Sequence, residues 1–457
     1  MANPPLSVVV LAAGEGKRMR SRTPKVLHTV AGKSMLGHVL DAARALEPAA
    51  IHVVHGHGGE AVQSAFAEAQ IHWAHQAEQL GTGHAVAQAM PAIPDDHQVL
   101  VLCADVPLIR PRTLKALVAR AAGGVSLLTV ELADPSGYGR ILRDAEGQVT
   151  GIVEEKDASD AERAISEVNA GILCLPAGPL RGWLASLDAG NAQGEYYLTD
   201  CIARARADAM TVTPLACADP WEVQGVNDRL QLAAVERACQ QRQAESLMRE
   251  HGLGLADPAR FDLRGELTVG RDCFIDVDVI IEGRVVLGDG VHIGPFTRLR
   301  DCEIAADSRV LGHCEIEDSR IGERCQIGPF ARLRPGTTLA EAAKVGNFVE
   351  TKKTHVGPGS KINHLSYIGD THMGAKVNIG AGTITCNYDG QQKHRTELGD
   401  GVFVGSNTAL VAPIVIGEGV TIGAGTTLRE DVPAETLAVD GSRPKQIKGW
   451  RAKHRQD

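Results

Sequence analysis

Apolar residues along this chain follow two different rhythms, and the change comes near residue 250. Before it, short aliphatic runs alternate with amphipathic stretches. Ser7–Leu11, Ile51–Val54, Val99–Cys103 and Val125–Thr129 are aliphatic runs that predict strands. Met35–Leu46, Ala61–Ala69 and Thr113–Ala122 lie between them and carry helical spacing. Strand and helix in alternation predict an α/β domain, Rossmann-like, with a mostly parallel sheet and helices on both faces. Residues 228–251 are rich in Gln, Glu, Arg and Ala, without Gly or Pro. That composition predicts one long helix, stopped at Gly252.

Beyond about residue 265 the period becomes six. Val269, Ile275, Ile281, Leu287, Ile293 and Leu299 open the series, and Ile304, Val310 and Ile316 continue it after a one-residue slip. Ile321, Ile327, Leu333, Leu339 and Val345 follow. After an interruption, Leu398, Val404, Leu410, Ile416, Ile422 and Leu428 complete the run. Small or β-branched residues recur four positions later, as at Val291, Thr297, Ala331 and Thr408. This hexapeptide repeat predicts a left-handed parallel β-helix, each short strand turning its aliphatic residue inward. Cys273, Cys314 and Cys325 fall in the small inward slot and are expected to serve as packing residues. The predicted organisation is residues 1–229 as the α/β domain, 230–250 as a linker helix and 251–457 as the β-helix with a basic tail.

Composition narrows the partners. A length of 457 residues suits two or three domains. A net charge of −9 recommends neither nucleic acid nor an acidic membrane surface, so an anionic ligand must meet local Lys and Arg. Fifty Gly against seven Phe, five Tyr and four Trp imply an aliphatic core and many tight turns. No apolar run reaches transmembrane length. Ten scattered cysteines show neither Cys-x-x-Cys nor zinc spacing, as expected of reduced thiols in a cytoplasmic protein.

The first chemistry lies in residues 11–25. Leu11, Ala12, Ala13 and Gly14 end a strand and open a Gly-rich loop, followed by Arg18, Lys25 and other cations. The third Gly of a dinucleotide fingerprint is missing, since position 19 is Met, and so is the Gly-Lys-Ser/Thr of a P-loop. Backbone N–H groups beside Arg and Lys still suit a nucleoside triphosphate. Gly16-Lys17-Arg18-Met19 and Pro24-Lys25 resemble the opening of the sugar-1-phosphate nucleotidylyltransferases. Further segments match that family in order. They are Gln76–Thr82, Asp105 at a strand end, Gly137–Arg140, Glu154–Lys156, Asn169–Gly171, Glu195–Thr199 and Gly225–Asn227.

The resemblance implies that Arg18 and Lys25 are catalytic. It places Leu11, Ala12, Ala13, Gly14, Lys25, Gln76, Gly81, Thr82, Gly139, Glu154, Asn169 and Asn227 on the nucleotide and sugar. Asp105 and Asn227 would hold Mg²⁺. A phosphate oxygen attacking the α-phosphorus of UTP is already anionic near neutral pH, so alignment and charge neutralisation are what the reaction needs. The stretch Cys103-Ala104 departs from the Tyr-Gly common in close relatives, so contacts there are expected to differ. His52, His55 and His57 lack a third convergent metal ligand and are assigned to a structural loop.

The second chemistry lies where the six-residue period is interrupted. Glu350–Lys353, Asn363–Tyr367, Asn378–Asn387 and a polar stretch from Tyr388 to His394 stand between Val345 and Leu398. Together these closely resemble the acetyltransferase half of the bacterial bifunctional family that acetylates glucosamine-1-phosphate and uridylylates the product. With the N-terminal motifs, the resemblance covers essentially the whole chain. It implies His364 as general base, and Arg334, Lys352, Tyr367, Asn378, Asn387 and Tyr388 on the amino sugar phosphate. Ala381, Ser406, Ala424 and, in the tail, Arg443 would contact acetyl-CoA. Glu350 is expected to orient His364.

An amine attacking a thioester must lose a proton, and histidine titrates in the right range to accept it. The implied co-substrates are acetyl-CoA and UTP. The implied assembly is a homotrimer through the β-helix, with no nucleic-acid or integral membrane partner, supplying a precursor of peptidoglycan and lipopolysaccharide. Two alternatives are a nucleotidylyltransferase with a purely regulatory β-helix and a non-catalytic exchange-factor subunit. Arg18, Lys25 and Asp105 oppose the second alternative, and His364 with Asn387-Tyr388 opposes the first.

Overall fold

A computed structural model of the protein describes residues 4–67, 70–121, 123–441, 446–448 and 450. The chain divides into two compact units, Met1–Cys239 and Gln240–Asp457. The first holds a sheet of β1 (Leu6–Ala12), β2 (Ala50–His55), β3 (His72–His75), β4 (Gln98–Cys103), β5 (Val125–Glu131), β6 (Arg140–Arg143), β7 (Val149–Val153), β8 (Glu167–Pro176) and β9 (Val212–Ala216). Their order is β9-β5-β8-β4-β1-β2-β3, with β6 joined to β8 and β7. Successive residues of a strand point to opposite faces. Val8, Val10, Leu100 and Leu102 therefore pack on helices Met35–Arg44 and Pro111–Arg120. Val9, Val99 and Val101 pack on Thr82–Ala89, Ala177–Ala185 and Asp200–Ala207.

The four predicted strands and the Met35 helix form, with ends displaced by one or two residues. The second predicted helix is Gly59–Ala65, and Glu68 and Ala69, at its expected end, lie outside the described residues, as does Ala122. The sequence pattern missed β8, which runs antiparallel to β4 and β5 and whose register shifts between Asn169 and Leu173. Gly171 takes φ +73° at that irregularity, and the bulge re-aims Asn169.

The long helix spans Arg229–His251, and Gly252 ends it at φ +69°. Val235 and Cys239 pack with Val30, Ala31 and Met35 in the first unit. Ala244 and Leu247 belong to the core of the second. The units therefore divide inside the helix, within the segment 230–250 expected to link them.

In the second unit, short strands pair in parallel from coil to coil, as in Phe274-Ile275 on His292-Ile293 and those on Arg309-Val310. Ile275, Ile281, Leu287, Ile293, Leu299 and their successors fill one continuous core. Cys273, Cys314 and Cys325 are buried within it. The coils do not break between Val345 and Leu398. Thr351, Val356, Ile362, Ile368, Met373, Ile379 and Thr385 occupy the inward positions there. Buried Thr in place of aliphatic residues, with one-residue slips, hides the period. Only the excursion from Asn387 to Arg395 leaves the coil.

Candidate active sites

In the first unit, β1 lies between β2 and β4, where the connections leave in opposite directions. Ligands of open α/β sheets bind at the carboxyl end of such a switch point. The loop leaving β1 folds onto Lys25, because Gly16 adopts φ +63° and a Cβ there would lie 2.7 Å from Lys25 Cβ. Buried Met19 anchors the turn Lys17–Met19 that carries Arg18. Asp105 follows β4. Its carbonyl accepts from Val226 N–H at 2.9 Å, which brings Asn227 alongside.

Lys25 Nζ donates to Asp105 Oδ2 at 2.5 Å and to Asn227 Oδ1 at 3.3 Å. The Lys25 and Asp105 side chains are 11% and 21% exposed. A carboxylate and an amide oxygen thus converge on one largely shielded cation. That donor pair suits Mg²⁺, which takes one or two protein ligands and keeps water and phosphate oxygens for the rest.

Two adjoining cavities open here, of about 380 and 260 Å³, and both are lined by Leu11, Thr82, Cys103 and Asp105. Ala12, Ala13, Gly14, Lys25, Gln76 and Gly81 line the smaller. Arg18, Gly139, Glu154, Asn169 and Asn227 line the larger. Every nucleotide and sugar residue expected from the sequence therefore reaches this one region.

Local bonds explain the placements. Gln76 Nε2 donates to Gly81 O at 3.2 Å, and Thr82 Oγ1 accepts from Leu198 N–H at 3.0 Å. Gly139 O accepts from Asn169 N–H at 2.8 Å, and Asn169 Oδ1 accepts from Gly171 N–H at 3.1 Å. Burial raises the carboxyl of Glu154 above its ordinary value, against the opposing bond from Thr199 Oγ1 at 2.9 Å. Cys103 Sγ lies 3.5 Å from Gly171 O, and burial pushes its thiol up to about 12. It is a neutral wall residue. Sequence reasoning missed Gln231, which lines the larger cavity and accepts from Asn227 N–H at 2.7 Å. His52 and His55 lie on β2, stacked on His72 and His75 with ring centroids 5.0 and 5.1 Å apart.

In the second unit, strand Lys361–His364 pairs with Lys344–Asn347, placing His364 opposite Asn347. Asn347 Oδ1 lies 2.7 Å from His364 Nδ1. An amide oxygen there accepts the Nδ1 proton and leaves Nε2 as the basic nitrogen. Asn347 was missed by sequence reasoning, although the 17 residues separating it from His364 are one coil. Glu350, expected beside His364, instead accepts from Arg334 Nη1 at 2.7 Å.

Lys361 and Ile362 pair with Asn378 and Ile379, and these with Phe403 and Val404. Continuing the register stacks His364 on Ala381, then Ser406, then Ala424. Gly380, Gly405 and Gly423 precede the last three, and a Cβ at Gly380 or Gly405 would meet the next coil's backbone at 2.6 or 2.5 Å. Side-chain-poor coils therefore form a shallow track beside the histidine.

Asn387 Nδ2 donates to Asp370 Oδ2 at 2.5 Å and to Tyr367 Oη at 3.4 Å. Tyr388 is exposed and forms an antiparallel bridge with Lys393. Lys393, also missed, lies beside Lys352 and lowers the Lys352 ammonium from its ordinary value, with Arg334 adding to the effect. Lys352, Lys393 and Arg334 thus form one cluster of cations. Arg443 lies outside the described residues.

The family model for the MobA-like NTP transferase domain matches residues 8–252. The GMPPB C-terminal domain model matches residues 263–367, and the six-repeat bacterial transferase hexapeptide model matches 395–430. The bifunctional protein GlmU of Alkalilimnicola ehrlichii is 61% identical over 446 residues, spanning 98% of this chain and 96% of that protein. Those of Stenotrophomonas maltophilia and Marinobacter nauticus are 54% and 56% identical, each alignment covering 98% of both chains.

Proposed function

The chain belongs to the GlmU family of bifunctional proteins, and from that premise we propose how its two units divide the synthesis of UDP-N-acetylglucosamine. The β-helix transfers acetyl from acetyl-CoA to the amine of glucosamine-1-phosphate. The α/β unit then transfers uridylyl from UTP to N-acetylglucosamine-1-phosphate and releases pyrophosphate.

The observation that carries this reading is the pairing of His364 with Asn347, in the same unit as a cluster of three cations, Arg334, Lys352 and Lys393. A purely regulatory β-helix needs neither a base with one nitrogen held by an acceptor nor a patch of clustered cations. His364 takes the proton that the amine loses as it adds to the thioester. The cations hold the sugar phosphate, Tyr367, Asn378, Asn387 and Tyr388 enclose the sugar, and the Ala381–Ser406–Ala424 track takes the coenzyme, with Arg443 on its phosphates.

In the α/β unit, Arg18 and Lys25 neutralise phosphate charge, and Gln76, Gly81 and Thr82 read the base. Gly139, Glu154 and Asn169 hold the sugar. Asp105 and Asn227 would hold Mg²⁺, which when bound supplies charge neutralisation across the phosphates. Lys25 is then free to turn from these oxygens to a phosphate oxygen.

Self-association into a trimer fits an exposed aromatic ladder on the β-helix. Phe296, His313, Phe330 and Phe348 stack at centroid distances of 4.9, 4.8 and 5.2 Å, and the three Phe are 50%, 46% and 56% exposed. No described helix is long and apolar enough to cross a membrane. The scattered cysteines and the choice of substrates support work in the cytoplasm, feeding peptidoglycan and lipopolysaccharide synthesis.

The test supplies glucosamine-1-phosphate, acetyl-CoA, UTP and Mg²⁺ to the purified protein, omits one at a time and weighs the products. N-acetylglucosamine-1-phosphate should accumulate without UTP. A protein that uridylylates the acetylated sugar yet never releases coenzyme A would favour the regulatory β-helix.

A further inference from the structure

The excursion from Asn387 to Arg395 brings Lys393 next to Lys352, and like charges placed together push apart. Something must hold the excursion against that repulsion while the site is empty. Asp389 lies at its centre. One carboxylate oxygen, Oδ1, accepts from Gln391 N–H at 2.8 Å and Gln392 N–H at 2.7 Å. The other, Oδ2, accepts from His394 Nε2 at 2.7 Å. His394 N–H in turn donates to Asn387 O at 2.9 Å, so the residue next to Lys393 is fixed at both its backbone and its ring. These bonds hold the Asp389 carboxyl well below the usual carboxylate range, led by Gln392 N–H and then His394. Asn387 ties the base of the excursion to Asp370.

We infer that His394, through its bond to Asp389, is a positioning residue that holds the Lys393 ammonium where the phosphate of glucosamine-1-phosphate binds. The inference rests on the acetyltransferase reading of this site. His394 itself touches no reacting atom. Without its ring, the excursion keeps the turn made by Gln391 and Gln392, but Lys393 is no longer locked against the repulsion of Lys352. The loss should therefore appear in recognition of phosphate and not in the chemical step.

The experiment compares the full-length wild type with His394→Ala and His394→Gln, measuring coenzyme A release with glucosamine-1-phosphate and, separately, with glucosamine. His394→Ala should raise KM for glucosamine-1-phosphate about fivefold or more, the effect of one lost charge-assisted bond discounted for exposure. The kcat and the KM for acetyl-CoA should stay within about twofold, and the preference for glucosamine-1-phosphate over glucosamine should fall by the same factor as KM rises. His394→Gln, which retains a donor, should recover most of the loss. An unchanged KM, or an equal loss on both sugars, would overturn the positioning role. A wild type that acetylates neither sugar would instead overturn the proposed function on which the inference stands.

Discussion

Removing the His364 imidazole tests the acetyl-transfer site most directly, and the structure sets the size of the effect. A positioned general base contributes about 10²–10⁴-fold, or roughly 3–5 kcal/mol of barrier. His364 is exposed, makes one side-chain hydrogen bond, to Asn347, and fills no core position. His364→Ala should therefore leave no cavity, and stability should change by no more than about 0.5 kcal/mol. Asn347→Ala keeps the base but frees its ring. One hydrogen bond is worth about 0.5–1.5 kcal/mol, so acetyl transfer should fall only about 2- to 13-fold. Coenzyme A release gives the readout, beside uridylylation of supplied N-acetylglucosamine-1-phosphate and a melting curve on the same preparation. The expected order is wild type, Asn347→Ala, then His364→Ala far below, with uridylylation unchanged throughout. A His364→Ala enzyme within about threefold of wild type would refute the general-base role, because that is less than such a base supplies. An Asn347→Ala enzyme as slow as His364→Ala would refute the division of labour between base and orienter.

Asp105→Ala should abolish uridylyl transfer and spare acetyl transfer, since it removes the carboxylate that meets the Lys25 ammonium and would hold Mg²⁺; an unchanged rate across a Mg²⁺ titration would remove Asp105 from the site. A fragment ending at Cys239 should uridylylate and melt higher than one ending at residue 229, because the longer one retains buried Val235 and the 2.6 Å bond from Ala31 N–H to Glu236 Oε2. The difference should be about 2–4 kcal/mol, and equal melting of the two fragments would refute it. Burial, with His72 and His97 nearby, holds His52 at about 4 against an ordinary 6.5. The unfolded chain takes up that proton first. The contribution to stability is therefore complete above pH 6.5 and is lost as pH falls through 4, by up to about 3 kcal/mol. His52→Leu should flatten the decline in melting temperature between pH 7 and 4.5, and parallel curves for the two proteins would exclude His52 as its source.

Periodicity alone determined the two architectures and the long helix. A two-residue alternation in β1 and β4 and a six-residue recurrence from Val269 onward are direct consequences of which side chains must face a core. Ordered motifs likewise pointed to residues that line the two adjoining cavities of the first unit, because each lies at a strand end or turn whose local sequence dictates its backbone. Tertiary structure decided the rest. Thr351 and Thr385 fill inward positions with no aliphatic signal, so the coils around His364 looked broken in sequence and are continuous in space. The antiparallel β8 and its bulge owe their form to pairing with β4 and β5, partners distant in the chain. The partner of His364 is Asn347 and not Glu350, since coil register, and not proximity in sequence, determines which side chains stack. Lys352 meets Lys393 for a similar reason: an excursion some forty residues further on folds back across intervening coils. Local sequence specifies how each segment bends and which face it buries. Which side chains from separate segments meet is determined by long-range packing.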